Sequence, residues 1–314
     1  MTKAQIGIML EGQFGLNWER LEKIARTVED SGYQCLFRSD HFSIGEDDDS
    51  LELWMSLNWL ATHTERIEFG PLVTPVTFRH PSNTIRYATA VDDLSGGRLV
   101  LGMGAGWNED EHTQWGIPFY DFPTRFDMFE EQLEMTERLL KTEGRVSFDG
   151  EHFSLKDAVL LPRPQRPGGP PILVGGNGPK RTLPMVARYA DEWNAVFLDV
   201  ATYKERTERL NNLLDERGRA RDAVKRSLMT RVVYGRTDAE VKARAAKQDE
   251  DLDEMRADDR VVGTPQEIVD KLGEFVEAGV ERFMLQWLDQ DDTDGMAAMA
   301  EDILPHFHAE TTPA

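Results

Sequence analysis

The chain has 314 residues, 40% hydrophobic and 9% aromatic, enough to bury one large core and unlike a disordered composition. A formal net charge of −21 sets its surface against nucleic acid and anionic membranes, and no apolar run reaches the roughly 18 residues of a membrane span. Its one cysteine, Cys35, leaves no internal disulfide and no cysteine-based metal cluster, and a soluble cytoplasmic protein is expected.

Short apolar runs alternate with amphipathic stretches. Gln5–Leu10 reads as a buried strand, not as the long apolar region of a signal peptide. Trp18–Ser31 follows with Leu21, Ile24, Ala25 and Val28 at helical spacing and Gly32 beyond its end. Cys35–Arg38 is a strand, Leu51–Thr64 a helix, Ile67–Val73 a strand and Asn83–Leu94 a helix. Arg98–Met103 is the fourth strand and Phe122–Thr142 a long helix. Arg145–Pro171 breaks the pattern: Val146–Phe148, Asp149-Gly150 and His152–Ser154 signal a hairpin, and Pro162, Pro164, Pro167, Pro170 and Pro171 forbid a helix. The alternation resumes with strands at Ile172–Val174, Glu192–Phe197, Leu228–Tyr234 and Arg282–Trp287. Their helices are Lys180–Tyr189, Tyr203–Arg217, Ala239–Asp253, Gln266–Ala278 and Gly295–Leu304. The acidic runs Glu46–Asp49 and Asp289–Asp294 read as solvated loops, with a hard-cation site as the alternative.

Eight strand–helix units predict an α/β chain closed into a TIM-type (β/α)₈ barrel, one domain over 1–314 with an insertion after strand 4 at about 145–171. A doubly wound sheet would want a glycine-rich phosphate turn after the first strand, and the spacing in Leu10–Gly15 does not supply it. In a barrel, chemistry sits at the C-terminal strand ends. There Asp40-His41 pairs a carboxylate with an imidazole, suited to acid–base work near neutral pH, unless the histidine is merely bonded to loop backbone. Gly102, Gly104 and Gly106 let a flat ligand approach the backbone, or form a tight turn. Gly175-Gly176-Asn177-Gly178 before a helix offers free amides to a phosphate, with Lys180 and Arg181 adding charge. Phe14, Phe42, Trp107, Phe197 and Trp287 are candidate walls for a largely apolar substrate, or core. Metal hydrolysis is the competing barrel chemistry, but no pair of histidines within four positions marks a strand end. Only His306 and His308, at the C-terminus, are so close.

Several ordered motifs together resemble the luciferase-like monooxygenase family: Ser39–Phe42, Arg79–Pro81, Asp93–Leu99, Gly102–Glu109, Arg125-Phe126 with Glu130, and Pro170–Gly176. The resemblance implies a flavin or deazaflavin at the barrel mouth and a homodimer. It places Asp40 and His41 beside the ring, and Thr74, Gly104, Gly106, Asn108, Val174, Gly175 and Gly176 around the ring or its phosphate chain. Pro71-Leu72 would be the non-prolyl cis peptide of the family's F420 branch. Sugar-phosphate dehydrogenases of the family carry an acid where Trp107 stands, so that substrate is not expected here. F420, with FMN as the alternative, is the implied coenzyme. The cations Arg38, Arg79, His80, Lys180 and Arg181 would form a positive lane for the polyanionic F420 tail, so that added salt weakens binding. A hydride-transferring F420 oxidoreductase is expected, with an FMN monooxygenase or a non-catalytic flavin binder as alternatives.

Overall fold

The computed structural model describes residues 4–46, 49–248 and 251–307. Asp47 and Asp48 of the first acidic run, residues 249 and 250 of the expected helix Ala239–Asp253, and His308 lie outside the described residues.

The alternation folds as a barrel of parallel strands: β1 (Gln5–Leu10), β2 (Cys35–Arg38), β3 (Glu68–Pro71), β4 (Leu101–Gly104), β5 (Ile172–Gly175), β6 (Glu192–Val196), β7 (Lys225–Tyr234) and β8 (Arg282–Gln286). Each strand lies beside its chain neighbour, and β8 pairs with β1 through Gln5 opposite Arg282. Thr74–Pro75, just past β3, pairs with β4 as a ninth parallel strand, and a bridge between Phe69 and Leu99 brings the two edges together. The wall is nearly closed, so all C-terminal strand ends face one mouth.

Helices cover the outside: α1 (Trp18–Asp30), α2 (Leu53–His63), α3 (Pro81–Leu94), α4 (Phe122–Lys141), α5 (Thr182–Tyr189), α6 (Val200–Glu216), α7 (Pro265–Glu277) and α8 (Thr293–Phe307). Their apolar faces and the outward strand residues, Trp193 and Phe283 among them, form the main core. The inward residues form a second, smaller core of Met9, Cys35, Phe37, Leu72, Val100, Leu173, Met229 and Met284. Beneath it, at the N-terminal strand ends, the fully buried Arg282 bonds Gln5 at 2.8 Å, Glu192 at 3.1 Å and also Glu68. That ionic plug seals the bottom and leaves the opposite end as the open one.

Two local features differ from the sequence reading. The stretch expected as one helix is two, Asp238–Lys247 and Leu252–Ala257, because the Asp251 carboxylate caps a new helix by accepting from the amides of Asp253 and Glu254. The short strand Val261–Gly263, pairing with β7, was not anticipated. Between α4 and β5 the chain makes the antiparallel hairpin of Val146–Asp149 with Ser154–Ala158. No helix among the described residues is long and apolar enough to cross a membrane.

Candidate functional site

Strand alternation carries the lumen into the mouth: above the inward Met9, Met229 and Met284 come Glu11, Arg231 and Gln286. These polar groups are linked. The Glu11 carboxylate accepts from Gln13 at 3.1 Å and from Gln286, whose own amide oxygen accepts from Arg231 at 2.7 Å. The Ser39 hydroxyl donates to Gln13 at 3.1 Å. A bonded polar layer therefore floors the mouth over a methionine-lined lumen.

His41 stands at the edge of this floor with its side chain 20% exposed. Its expected carboxylate partner is Asp40; the actual one is Glu111, 3.0 Å from Nδ1. Asp40, two residues past the end of β2, has both carboxylate oxygens engaged by Arg79 instead. Glu111 is 1% exposed and lies in the short helix Glu109–Gln114 after β4. Its other oxygen accepts from the amides of Phe42 and Ser43, the latter at 3.2 Å. Burial pulls the His41 pKa down, but the hydrogen bond and charge of Glu111, with Glu11 and Asp40 behind it, outweigh burial and raise it.

Asp40 is instead clamped by Arg79 through both carboxylate oxygens, one at 3.1 Å. Arg79 also reaches Glu52 at 3.0 Å and the buried Thr74 hydroxyl at 3.3 Å. Burial pushes the Asp40 carboxyl up, opposed by Arg79. The expected cationic lane is largely spent on such work. Arg38 is buried and donates to Ser39, Ser56, Ser50 and Leu51, its pKa lowered to about 10 by burial. His80 caps α3 by accepting from the Ser82 amide. Arg181 pairs with Asp127, and Lys180 alone of the five is an exposed cation without an ion pair among the described residues.

The glycines gather round one side chain. A Cβ on Gly104 would lie 2.7 Å from Val73 Cγ2, and one on Gly175 would lie 2.9 Å from Val73 Cγ1. The non-prolyl cis bond is Leu72–Val73, one residue beyond the expected Pro71-Leu72. Leu72 packs in the lumen core, and Pro71 ends β3. Val174 corrects another expectation. Its side chain faces the outer core while Leu173 faces the lumen, so it offers a ligand only backbone. Gly106 and Gly176 take φ of +77° and +125°, which favours glycine. The amides of Asn177, Gly178, Lys180 and Arg181, just before α5, meet no acceptor among the described residues. Asn108 begins the Glu109–Gln114 helix and donates to the Ser43 carbonyl at 3.3 Å.

Of the expected aromatic walls, Trp107 is 64% exposed and meets His41 edge-on at 5.5 Å. Phe197 closes the lumen core from above, with the Arg260 guanidinium 4.3 Å over its ring. Phe14 is half-buried in the strand Phe14–Leu16, which pairs with Asp49–Ser50. Phe42 stacks on Phe78 at 4.4 Å on the rim. Trp287 is no wall: it is 4% exposed in the outer core, and its indole donates to the Asp289 carbonyl. Sequence reading missed Glu111 and Arg231. Glu109, Asp110 and Glu111 look alike in sequence, and only the fold buries the third.

Residues 2–249 match the model of a family described as luciferase-like monooxygenase. An F420-dependent hydroxymycolic acid dehydrogenase of Mycobacterium tuberculosis is 29% identical over 62% of this chain and 53% of its own length. An F420-dependent glucose-6-phosphate dehydrogenase of Microbacterium testaceum is 30% identical over 71% of this chain and 66% of its own. The match thus spans about half of the first relative and just under two thirds of the second. The fold also superposes on an F420-dependent secondary alcohol dehydrogenase in complex with an F420–acetone adduct. The TM-score is 0.84 at 19% identity, covering 98% of this chain and 100% of that one.

Proposed function

The chain belongs to the luciferase-like monooxygenase family, and from that premise we propose that it is an F420-dependent oxidoreductase exchanging a hydride with a small, largely apolar organic substrate. The observation that carries the reading is His41, held at the mouth by Glu111 with Trp107 against its ring. The F420-dependent relatives support the choice of coenzyme. The residues present fit such a group. Four free amides before α5, beside Lys180, suit a phosphate, and Val73, seated against the glycine backbone of Gly104 and Gly175, offers a small apolar wall to a planar ring. Thr74 and Asn108 flank that wall.

A bound deazaflavin supplies a two-electron hydride acceptor or donor and no oxygen activation. The protein accepts or returns the matching proton. His41 takes the hydroxyl proton of an alcohol as its carbon gives up hydride, or returns a proton when a carbonyl or enone is reduced. Asp40, clamped by Arg79 from the loop before α3, holds the loop that carries His41. Trp107, in the place of an acid, supports an apolar substrate over a sugar phosphate.

Titration of the purified protein with F420 and, separately, with FMN tests the coenzyme. Turnover is then assayed with F420 and a panel of secondary alcohols, and with reduced F420 and cyclic enones. F420 should bind, and His41→Ala should cut turnover about 10²–10⁴-fold with coenzyme affinity kept. Tight FMN binding with oxygen consumed and F420 ignored would make the protein a monooxygenase. F420 binding without turnover across the panel would make it a carrier.

A further inference from the structure

We infer that Glu111 is a positioning residue for His41: it accepts the Nδ1 proton, fixes the ring, and leaves Nε2 as the atom that exchanges a proton at the mouth. The inference rests on the acid–base reading of His41 given above, but its central test does not.

Hydrogen-bond donors and acceptors fix the tautomer. An ionised carboxylate accepts and cannot donate. One Glu111 oxygen is occupied by the amides of Phe42 and Ser43, so the other, 3.0 Å from Nδ1, is the one facing the ring. Nδ1 must then carry hydrogen, and the neutral imidazole keeps its lone pair on Nε2. Glu111 cannot turn aside, because its short helix is pinned at neighbouring positions. His112 bonds the Asn108 carbonyl at 2.6 Å and the Thr77 hydroxyl at 2.7 Å, and Gln114 accepts from Ser43. The charged groups facing His41 are Glu111 from the helix after β4, Glu11 from the end of β1 and Asp40 from its own strand end, with Arg79 bound to Asp40. The carboxylates favour the imidazolium, so the same contact that selects the tautomer strengthens Nε2 as a base.

Glu111→Gln separates positioning from scaffolding. The amide oxygen still accepts from Phe42 and Ser43, while the amide nitrogen donates to Nδ1 and reverses the tautomer. Ring-nitrogen NMR of labelled protein, with the His41 signal assigned by its loss in His41→Ala, reads both states without any substrate. Wild type should show a neutral form protonated at Nδ1 and a pKa above the ordinary histidine value. Glu111→Gln should show protonation at Nε2 and a lower pKa, with the thermal midpoint and circular dichroism close to wild type. With reduced F420 and cyclohexenone, or F420 and 2-propanol, kcat should fall about a hundredfold with KM little changed. Glu111→Asp should recover part of it. A wild-type ring protonated at Nε2, or a His41 pKa unmoved by Glu111→Gln, overturns the inference, and the wild-type tautomer alone decides it if the variant does not fold. A correct tautomer combined with full activity of His41→Ala would instead reject the proposed function.

Discussion

Val73 touches the positions that would be Cβ on both Gly104 and Gly175, at 2.7 and 2.9 Å. The glycines at these two strand ends answer first to a valine packed between β4 and β5, and only then to a ligand. Gly104→Ala should therefore lower stability by about 1–3 kcal/mol through overpacking. Val73→Ala in the same chain should restore much of that loss, since it removes the clashing methyls. Urea unfolding of the two single variants and the double variant forms the cycle, and losses that simply add would show that Val73 is not the obstacle. The sequence carried the glycines but not this reason for them, because Val73 lies some thirty residues from Gly104 and a hundred from Gly175. The same holds for His41. Its position at a strand end was legible, whereas its partner Glu111 came from another loop, and the adjacent Asp40 was drawn off by Arg79.

Elements were more legible than contacts, because periodicity is local and pairing is not. The bounds of β1 and β2 follow directly from apolar runs. β7 starts at Lys225, three residues before its apolar stretch, since β6 and β8 continue alongside and extend the ladder over Arg226 and Ser227. The proline-rich run after the hairpin reads in the sequence as irregular chain, but it is tied to α3. Arg166 Nη2 lies 3.2 Å from the fully buried Asp92 carboxylate. Burial pushes Asp92 up to about 6, and Arg166 only partly opposes it. The folded-state pKa thus stands above the unfolded value of about 3.9. Between those values the folded protein binds more protons than the unfolded one, so this group's contribution to stability falls as pH rises, by up to about 1.4 kcal/mol per unit, and levels off above pH 6. Unfolding free energies measured from pH 4 to 7 should show that slope in wild type and lose it in Asp92→Asn. Parallel curves for the two proteins would mean that Asp92 does not titrate in this window.

At the scale of the molecule, the barrel was legible from eight alternating units, and the charge of −21 was legible from composition. The placement of individual cations was not. A positive lane leading to the mouth requires Arg38, Arg79, His80, Lys180 and Arg181 to be available to a polyanion. Arg38 is spent on the loops after β2, Arg79 on Asp40 and Glu52, Arg181 on Asp127, and His80 on a helix cap. An ion pair looks neutral from a distance, so an approaching anion feels mainly the net charge until it is close to the free amides before α5. The Debye length shrinks from about 30 Å at 0.01 M salt to about 8 Å at 0.15 M. On the proposed function, the association rate of F420 should then rise with salt over that range, the reverse of what a cationic lane would give. Lys180→Glu should slow association a few-fold at low salt, since it removes the one expected cation that remains unpaired and adds to the repulsion. Stopped-flow fluorescence of the deazaflavin measures both effects. A rate that falls steadily as salt is added would reinstate the lane, and would point to cations other than these five as its members.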